Sequence, residues 1–137
     1  MEKKNFQAVN MGDFKDLLEK DFNVGKGKYF IGQDIGLTGC EVSINCLPAE
    51  QSVPFVHAHK KNEELYMITS GSGTFFIDGE EFPVQEGSLI RVSPNGQRAL
   101  KAGEQDLYFI CIQAQANSLE QATLKDGIIV ETKASWM

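Results

Sequence analysis

Turn-forming residues interrupt this chain at short and regular intervals from about residue 25 to about residue 115. Apolar runs of a few residues alternate there with Gly, Pro, Asn and Asp every eight to twelve residues. This spacing is typical of an all-β sandwich or barrel rather than of βαβ units. The predicted strands are 28–32, 40–47, 53–59, 64–69, 73–78, 81–85, 88–93, 98–102 and 107–114.

Two regions carry specific strand signals. Segment 40–47 alternates cleanly between apolar and polar residues, which places them on opposite faces of a strand. The apolar face comprises Cys40, Val42, Ile44 and Cys46, and the polar face Glu41, Ser43 and Asn45. The Asp78-Gly79 pair predicts a tight type I′ hairpin, because both central residues of that turn need positive φ. Pro83 lacks a backbone N–H, so it places its strand at the edge of a sheet.

Helical segments are expected on both sides of the strand region. Near the N-terminus, Asn10 can cap a short helix that ends at about Asn23. The apolar face of this helix would comprise Met11, Phe14, Leu17 and Leu18. Near the C-terminus, Ser118 and Gln121 form a capping box and predict a second short helix. A final strand over 127–132 would complete this C-terminal extension.

Length and charge narrow the class of protein. The 137 residues fit one domain, 1–137. The 13 basic and 19 acidic residues give a formal charge of −6, which argues against nucleic acid or an anionic membrane as the main partner. No apolar stretch approaches the ~20 residues that span a bilayer, and the first eight residues lack the apolar core of a signal peptide. We therefore expect a cytoplasmic protein whose main partner is neither nucleic acid nor a membrane.

The three cysteines, Cys40, Cys46 and Cys111, fit a reducing compartment. Their odd number, without CxxC spacing, indicates neither a disulfide framework nor a thiolate zinc site. On one strand, Cys40 and Cys46 would lie ~20 Å apart, well beyond the roughly 7 Å between Cα atoms that a disulfide tolerates. We expect all three to be small buried side chains.

The residues with metal-binding chemistry lie close together in the chain. His57 and His59 are its only histidines, and on an extended strand both would point to the same face. Glu64 begins the next predicted strand and shares a face with Tyr66. If these two strands pair, two imidazoles and a carboxylate converge, which is a ligand set of catalytic zinc sites and non-haem iron oxygenases. A metal ion would remove the cost of burying these groups unpaired.

The spacing of these residues resembles the first motif of the cupin superfamily, G(x)5HxH(x)3–4E(x)6G. The matching residues are His57, His59, Glu64 and Gly71. A weaker copy of the second motif, G(x)5PxG(x)2H(x)3N, follows in segment 87–99. The resemblance covers about residues 40–114, most of the chain.

This resemblance implies a fold, a metal site and an assembly. The fold would be a double-stranded β-helix, or jelly-roll barrel, with a short N-terminal helix and a C-terminal extension. The metal ligands would be His57, His59 and Glu64, around a divalent ion that could be Zn, Fe, Mn or Ni. The resemblance also implies a homodimer.

Three positions depart from the cupin pattern. Gln51 stands where the first motif has glycine, and Pro94 comes one residue later than the second motif places it. The fourth metal ligand of the family, a histidine, falls on Ala99. Gln97 shares that face and could approach the site, although an amide is a poor ligand for a transition metal. Three outcomes stay open: three-ligand binding completed by water, weak occupancy, and a polar pocket without metal.

Further side chains around this site have more than one interpretation. Tyr66 could donate a hydrogen bond behind the ligands, act as a general acid, or be a core aromatic residue with a satisfied hydroxyl. Cys111 and Gln113 can face the interior from the last main strand. Arg91 and Arg98 could meet an anionic substrate, but we expect both at the surface.

Two functions are compatible with this resemblance. The first is an enzyme of dioxygenase or isomerase type, in which the ion polarises a substrate oxygen or activates O2 or water. The second is a non-catalytic module that binds a small carboxylate or sugar at a reduced or vestigial metal site. The fold does not select between them, and Tyr66 is the one catalytic candidate that the sequence offers.

Overall fold

A computed structural model describes residues 5–22 and 24–137. The strands in this part of the chain are β1 Asp21–Phe22, β2 Gly25–Lys26, β3 Lys28–Phe30, β4 Glu41–Leu47, β5 Asn62–Ser70, β6 Ser72–Ile77, β7 Glu80–Gln85, β8 Leu89–Val92, β9 Arg98–Ala102 and β10 Leu107–Gln115. They form a β1-β2 ribbon, a five-stranded sheet in the order β3-β4-β10-β5-β8 and a three-stranded sheet in the order β7-β6-β9. The paired strands are antiparallel, so the all-β expectation is confirmed.

The two larger sheets pack against each other through one hydrophobic core. Tyr66 and Phe109 from the five-stranded sheet and Phe75 and Leu100 from the three-stranded sheet belong to a single buried cluster. The rings of Tyr66 and Phe75 meet edge to face, with centroids 5.1 Å apart. This contact ties the strand that carries Glu64 to the opposite sheet.

The hairpin between β6 and β7 has the predicted turn. Asp78 has φ 49° and Gly79 has φ 86°, and the flanking residues Ile77 and Glu80 are paired. Both central residues therefore occupy the left-handed region that a type I′ turn requires. Pro83 lies in β7, the edge strand of its sheet, as its missing N–H predicts.

Strand β4 alternates as predicted, and both of its faces are buried. On the apolar face, Ile44 and Cys46 pack in a second cluster around Leu17 of the N-terminal segment. On the polar face, Ser43 and Asn45 are buried between the sheets. The polar face of β4 therefore lines the interior, which alternation alone does not reveal.

The N-terminal helix is shorter than predicted. It is a 3-10 helix over Phe14–Glu19, in which Leu17 is fully buried. The Asn10 side chain does not cap it, because its Oδ1 instead accepts a hydrogen bond from the backbone N–H of Gly12. Asn23, the predicted end of the helix, lies outside the described residues. A four-residue α-helix, Gly32–Ile35, was not predicted.

Both predictions for the C-terminal extension are wrong. The Ser118 hydroxyl donates to the carbonyl of Gln115 at 2.6 Å and so closes a turn instead of capping a helix. The helical structure there is a single 3-10 turn, Leu124–Asp126. Segment 127–132 is not a strand, and Ile129 within it is fully exposed. None of the helices in the described part of the chain is long and apolar enough to cross a bilayer.

The predicted strand 53–59 is also wrong. This segment makes two isolated bridges, Ser52 with Lys101 and His57 with Arg98, rather than a continuous ladder. Pro54 has no N–H to donate, which explains why regular pairing does not extend through the segment. The segment nevertheless runs beside β9, and that position sets the orientation of both histidines.

The cysteines behave largely as expected. Cys40, Cys46 and Cys111 are free thiols, the latter two buried and Cys40 half-buried. Burial raises the pKa of Cys46 to about 11, so its thiol stays protonated at neutral pH.

Candidate metal centre

The histidine segment is held by the three-stranded sheet and the loop before β9. The backbone N–H of His57 donates to the Arg98 carbonyl at 3.1 Å, and the Arg98 N–H donates back at 3.0 Å. The N–H of His59 donates to the carbonyl of Pro94 at 2.9 Å. The predicted pairing of this segment with the strand of Glu64 is therefore wrong.

Glu64 reaches the histidines from the opposite sheet. It lies on β5 and is 4% exposed. Its Oε1 is 3.0 Å from Nε2 of His59 and 3.6 Å from Nε2 of His57. One ligand atom from each of the three residues lies within 4.8 Å of the others. The structure thus brings the three predicted ligands together, across the two sheets rather than along one.

The Glu64 carboxylate is fixed by donors on both of its oxygens. The hydroxyl of Tyr66 donates to Oε1 at 3.2 Å, and the thiol of Cys111 donates to Oε2 at 3.0 Å. Burial raises the pKa of Glu64, but the Cys111 hydrogen bond and the nearby His59 and Arg98 outweigh it, so the pKa lies below its ordinary value. The group is therefore an anion with a fixed orientation.

Arg98 lies inside the molecule, contrary to the expectation that it is at the surface. Its side chain is fully buried, and its Nη1 is 3.8 Å from Oε1 of Glu64. Nη2 donates to the carbonyl of Ser93 at 3.2 Å, whereas Nε and Nη1 have no hydrogen-bond partner. Arg91 is exposed, as predicted. Arg98 is thus a buried cation next to the carboxylate.

Strand β9 also revises the position of the missing ligand. Because Pro94 comes one residue late, the second motif can be aligned in two ways. Alignment on Gly87 puts the motif's histidine at position 98, and alignment on Pro94 puts it at position 99. Ala99 lines the cavity beside the histidines, but Arg98 is the side chain that reaches Glu64. Gln97 is exposed and its N–H donates to Asp78, so it does not approach the site. The late proline of the second motif was the signal that could have identified Arg98.

The three candidate ligands border a small inner cavity of about 170 Å³. Its other polar lining residues include Lys28, Ser43, Tyr66, Cys111 and Gln113. An outer cavity of about 700 Å³ shares Lys28, Val53, His57 and Phe109 with it. The inner cavity is smaller than the roughly 300–1,000 Å³ usual for drug-sized ligands, so it suits a small metabolite.

The donor set fits a divalent metal ion. Nε2 of His59 is buried and has no hydrogen-bond partner, despite its closeness to Glu64. Ligand atoms ~2.0–2.2 Å from one ion lie about 3 Å or slightly more from each other, which matches the 3.0 and 3.6 Å separations. Burial lowers the pKa of His57 against the opposing effect of Glu64, which favours the neutral imidazole that a metal needs.

The chain matches the family model described as "Cupin domain" over residues 44–113. A cupin protein from Bacteroides fragilis is 40% identical and superposes with a TM-score of 0.81, over 93% of this chain and 99% of that one. A predicted oxalate decarboxylase from Thermotoga maritima is 25% identical, with a TM-score of 0.52 over 54% of this chain and 64% of that one. No functionally curated protein matches the chain significantly.

A more distant structure shares the fold alone. A DMSP lyase from Ruegeria pomeroyi is 17% identical, with a TM-score of 0.58 over 74% of this chain and 53% of that one. The family match spans more than half of this chain, and its residues include the three clustered ligands. The chain therefore belongs to the cupin superfamily.

Proposed function

We propose that this cupin binds one divalent metal ion through His57, His59 and Glu64 and uses it in chemistry on a small metabolite, of dioxygenase or isomerase type. The observation that carries the proposal is the convergence of the three ligand atoms on one point beside a small cavity. Zn, Fe, Mn and Ni all suit two imidazoles and a carboxylate. We also propose that the protein acts in the cytoplasm as a homodimer.

The side chains around the ligands have defined parts in this proposal. A bound ion would supply Lewis acidity, polarising a substrate oxygen or activating water or O2. Tyr66 and Cys111 hold the carboxylate of Glu64 in place. Burial raises the pKa of Tyr66, so its hydroxyl remains protonated and can donate a hydrogen bond. Tyr66 lines the inner cavity and stays the catalytic candidate as a hydrogen-bond donor, since a raised pKa opposes release of its proton.

A second candidate function is supported by Arg98. A guanidinium cannot act as a metal ligand because it stays protonated, and its charge partly neutralises Glu64 in the absence of an ion. This arrangement favours a cupin that binds a small carboxylate or sugar without turnover, with a reduced or vestigial metal site. The two functions differ in whether the ion is essential and whether a ligand is transformed.

Metal analysis of purified full-length protein tests the ligand set. We expect about one ion per chain in the wild type and loss of the ion in His57→Ala and Glu64→Ala, because two ligands do not retain it. Glu63→Ala is the matched control, since Glu63 is the adjacent carboxylate and is not in the three-residue cluster. A wild type that stays metal-free after dialysis against each of the four ions would exclude the metal proposal.

Turnover assays separate the two functions. Metal-loaded protein is incubated with a panel of small acids and sugars, while O2 uptake and isomerised products are measured. An enzyme transforms at least one compound, and Glu64→Ala abolishes that activity. Binding of a compound without any product across the panel supports the alternative.

A further inference from the structure

One wall of the inner cavity, on the same five-stranded sheet as Glu64, has a polar group that the metal site does not use. It is built by β3 and β4, where Lys28 pairs with Asn45 and Phe30 pairs with Ser43. Lys28, Phe30 and Ser43 line the inner cavity together with His57, His59 and Glu64. Because β3 alternates, the neighbouring Tyr29 packs on the other side, in the cluster around Leu17. The strand therefore directs Lys28 inward.

The ammonium group of Lys28 is held in place by this wall. Its Nζ donates to Oδ1 of Asn45 at 2.9 Å and lies 5.0 Å from the ring centroid of Phe30. Asn45 is itself fixed, since its amide nitrogen donates to the hydroxyl of Ser43 at 2.9 Å. An ammonium has three N–H donors, and Asn45 takes one of them. The others are available to a ligand in the cavity.

The fixed charges at the cavity favour an anionic ligand. Lys28 and Arg98 each contribute one positive charge and Glu64 one negative charge. These three side chains sum to +1, and a divalent ion would bring the sum to +3. A charge buried in a small cavity is costly unless it is paired. A neutral sugar would leave this excess unpaired, whereas a small acid would reduce it with or without a metal.

A second donor suits a carboxylate. Gln113 lines the same cavity, on β10, paired with Glu64 in register. Its carbonyl oxygen accepts a hydrogen bond from the Asn62 amide at 3.0 Å, which leaves its own NH₂ group as a donor. The cavity lining thus includes one ammonium and one amide, and both are donors that a carboxylate accepts. A lysine ammonium also binds phosphate as a point charge, so phosphate is the competing anion in the test.

We propose that Lys28 binds the carboxylate of a small organic acid inside this cavity, with Gln113 as the second donor. The inference rests on the proposed function in one respect, namely that the cavity is the ligand site. It does not require the metal, because the positive excess persists without an ion. It names the substrate class for the enzyme and the ligand class for the alternative.

Calorimetric titration of the full chain tests this proposal. The probes are glycolate, pyruvate, malonate and succinate, with glycolamide as a neutral analogue and inorganic phosphate as a competing anion. Each is titrated into zinc-loaded and chelator-treated protein, and metal content is measured in parallel. The variants are Lys28→Met and Lys28→Gln, which remove the charge. Lys26→Met is the matched control, because Lys26 is an exposed lysine at the outer cavity.

At least one carboxylate is expected to bind the wild type, about tenfold or more tighter than glycolamide and tighter than phosphate. Lys28→Met and Lys28→Gln weaken it by about tenfold or more, as loss of one charge-assisted hydrogen bond predicts, while Lys26→Met changes it by less than about twofold. Circular dichroism verifies that each variant is folded, and a folded Lys28→Gln suffices if Lys28→Met is not.

Three results would overturn the proposal: no carboxylate binds either form of the wild type, a carboxylate binds folded Lys28 variants as tightly as the wild type, or phosphate binds more tightly than every acid. The metal proposal fails separately. If the wild type holds no ion but shows Lys28-dependent carboxylate binding, the metal chemistry is excluded and the carboxylate site stands. If the wild type holds the ion but binds no acid, the carboxylate site is excluded and the metal proposal stands.

Discussion

The guanidinium of Arg98 lies with its Nη1 3.8 Å from Oε1 of Glu64, at full burial. A histidine at this place would add a fourth nitrogen to His57 and His59. The chain instead has a guanidinium, which is always positively charged. This charge would repel a bound metal ion, and it partly neutralises the Glu64 carboxylate when no ion is bound. The position that holds a metal ligand in the cupin pattern therefore holds a counter-ion to Glu64 in this chain.

Replacing Arg98 with histidine should convert the site to four ligands. Arg98→His removes the opposing charge and adds an imidazole, so we expect zinc affinity to rise by a factor of about ten or more. Competition with a fluorescent zinc chelator measures the change. Ala99→His is the matched comparison, because position 99 also borders the cavity. A gain in Ala99→His without one in Arg98→His would show that 99 is the true ligand position.

Removing the charge alone should have a smaller effect in the same direction. Arg98→Met keeps an unbranched side chain of similar length and deletes two donors that have no partner. It also leaves Glu64 without its nearby cation, so the metal-free variant should be less stable than the metal-free wild type. We expect zinc to bind several-fold tighter, since a nearby positive charge is lost. Lys101→Met removes an exposed charge from the same strand and should leave the affinity unchanged. Equal or weaker binding by Arg98→Met would contradict the counter-ion role.

Gly71 of the first motif should be required for stability rather than for metal binding. It has φ +83°, and a Cβ there would fall on the carbonyl oxygen of Asp106. Gly79→Ala provides the control, because Gly79 has φ +86° with open space around it. We expect Gly79→Ala to lower the free energy of unfolding by about 1 kcal/mol through strain, and Gly71→Ala by about 3 kcal/mol or more through strain and overlap. Urea unfolding measures both, and equal losses would refute the overlap.

The sequence predicted the parts of the fold that depend on local signals. The Asp78-Gly79 turn, the edge position of Pro83 and the alternation of β4 all follow from the conformational needs of a few residues. The motif spacing also identified the cluster of His57, His59 and Glu64. These features are local or carried by family pattern, so one sequence is enough to find them.

The errors concern long-range relationships. Segment 53–59 has a strand-like composition, but Pro54 and its bridges to β9 make it an irregular arm of the opposite sheet. Lys28 and Arg98 were not recognised because charged residues are usually exposed, and only tertiary packing decides which face of a strand lines a cavity. The C-terminal strand was predicted from the apolar residues of segment 127–132. Among the described residues, no strand pairs with this segment.

That apolar run should mediate self-association. Segment 127–132 includes Ile128, Ile129 and Val130, which are 85%, 102% and 64% exposed. An exposed run of this kind marks an interaction surface, and the homodimer expected from the cupin resemblance would cover it. Light scattering coupled to size-exclusion chromatography should give about twice the 15.2 kDa chain mass. The double change Ile128→Glu and Ile129→Glu should yield monomer, whereas Lys125→Glu should not. A monomeric wild type at ~100 μM would contradict the dimer.

The three thiols should differ sharply in reactivity. Cys40 is half-buried, whereas Cys46 and Cys111 are buried. Burial raises the pKa of Cys46 to about 11, and burial together with the hydrogen bond to Glu64 raises the pKa of Cys111. Because the thiolate is the reactive form, a pKa above the ordinary value means little thiolate at pH 7.5 and a rate that grows as the pH rises.

A disulfide reagent at pH 7.5 should therefore label one thiol per chain quickly, and the other two only after denaturation. Cys40→Ser should abolish the fast reaction and leave the slow ones, while Cys46→Ser should leave the fast reaction intact. Peptide mapping of the labelled residue checks the assignment. Rapid labelling of Cys111 in the folded protein would mean that the inner cavity opens and that the Glu64 hydrogen bond is not maintained in solution.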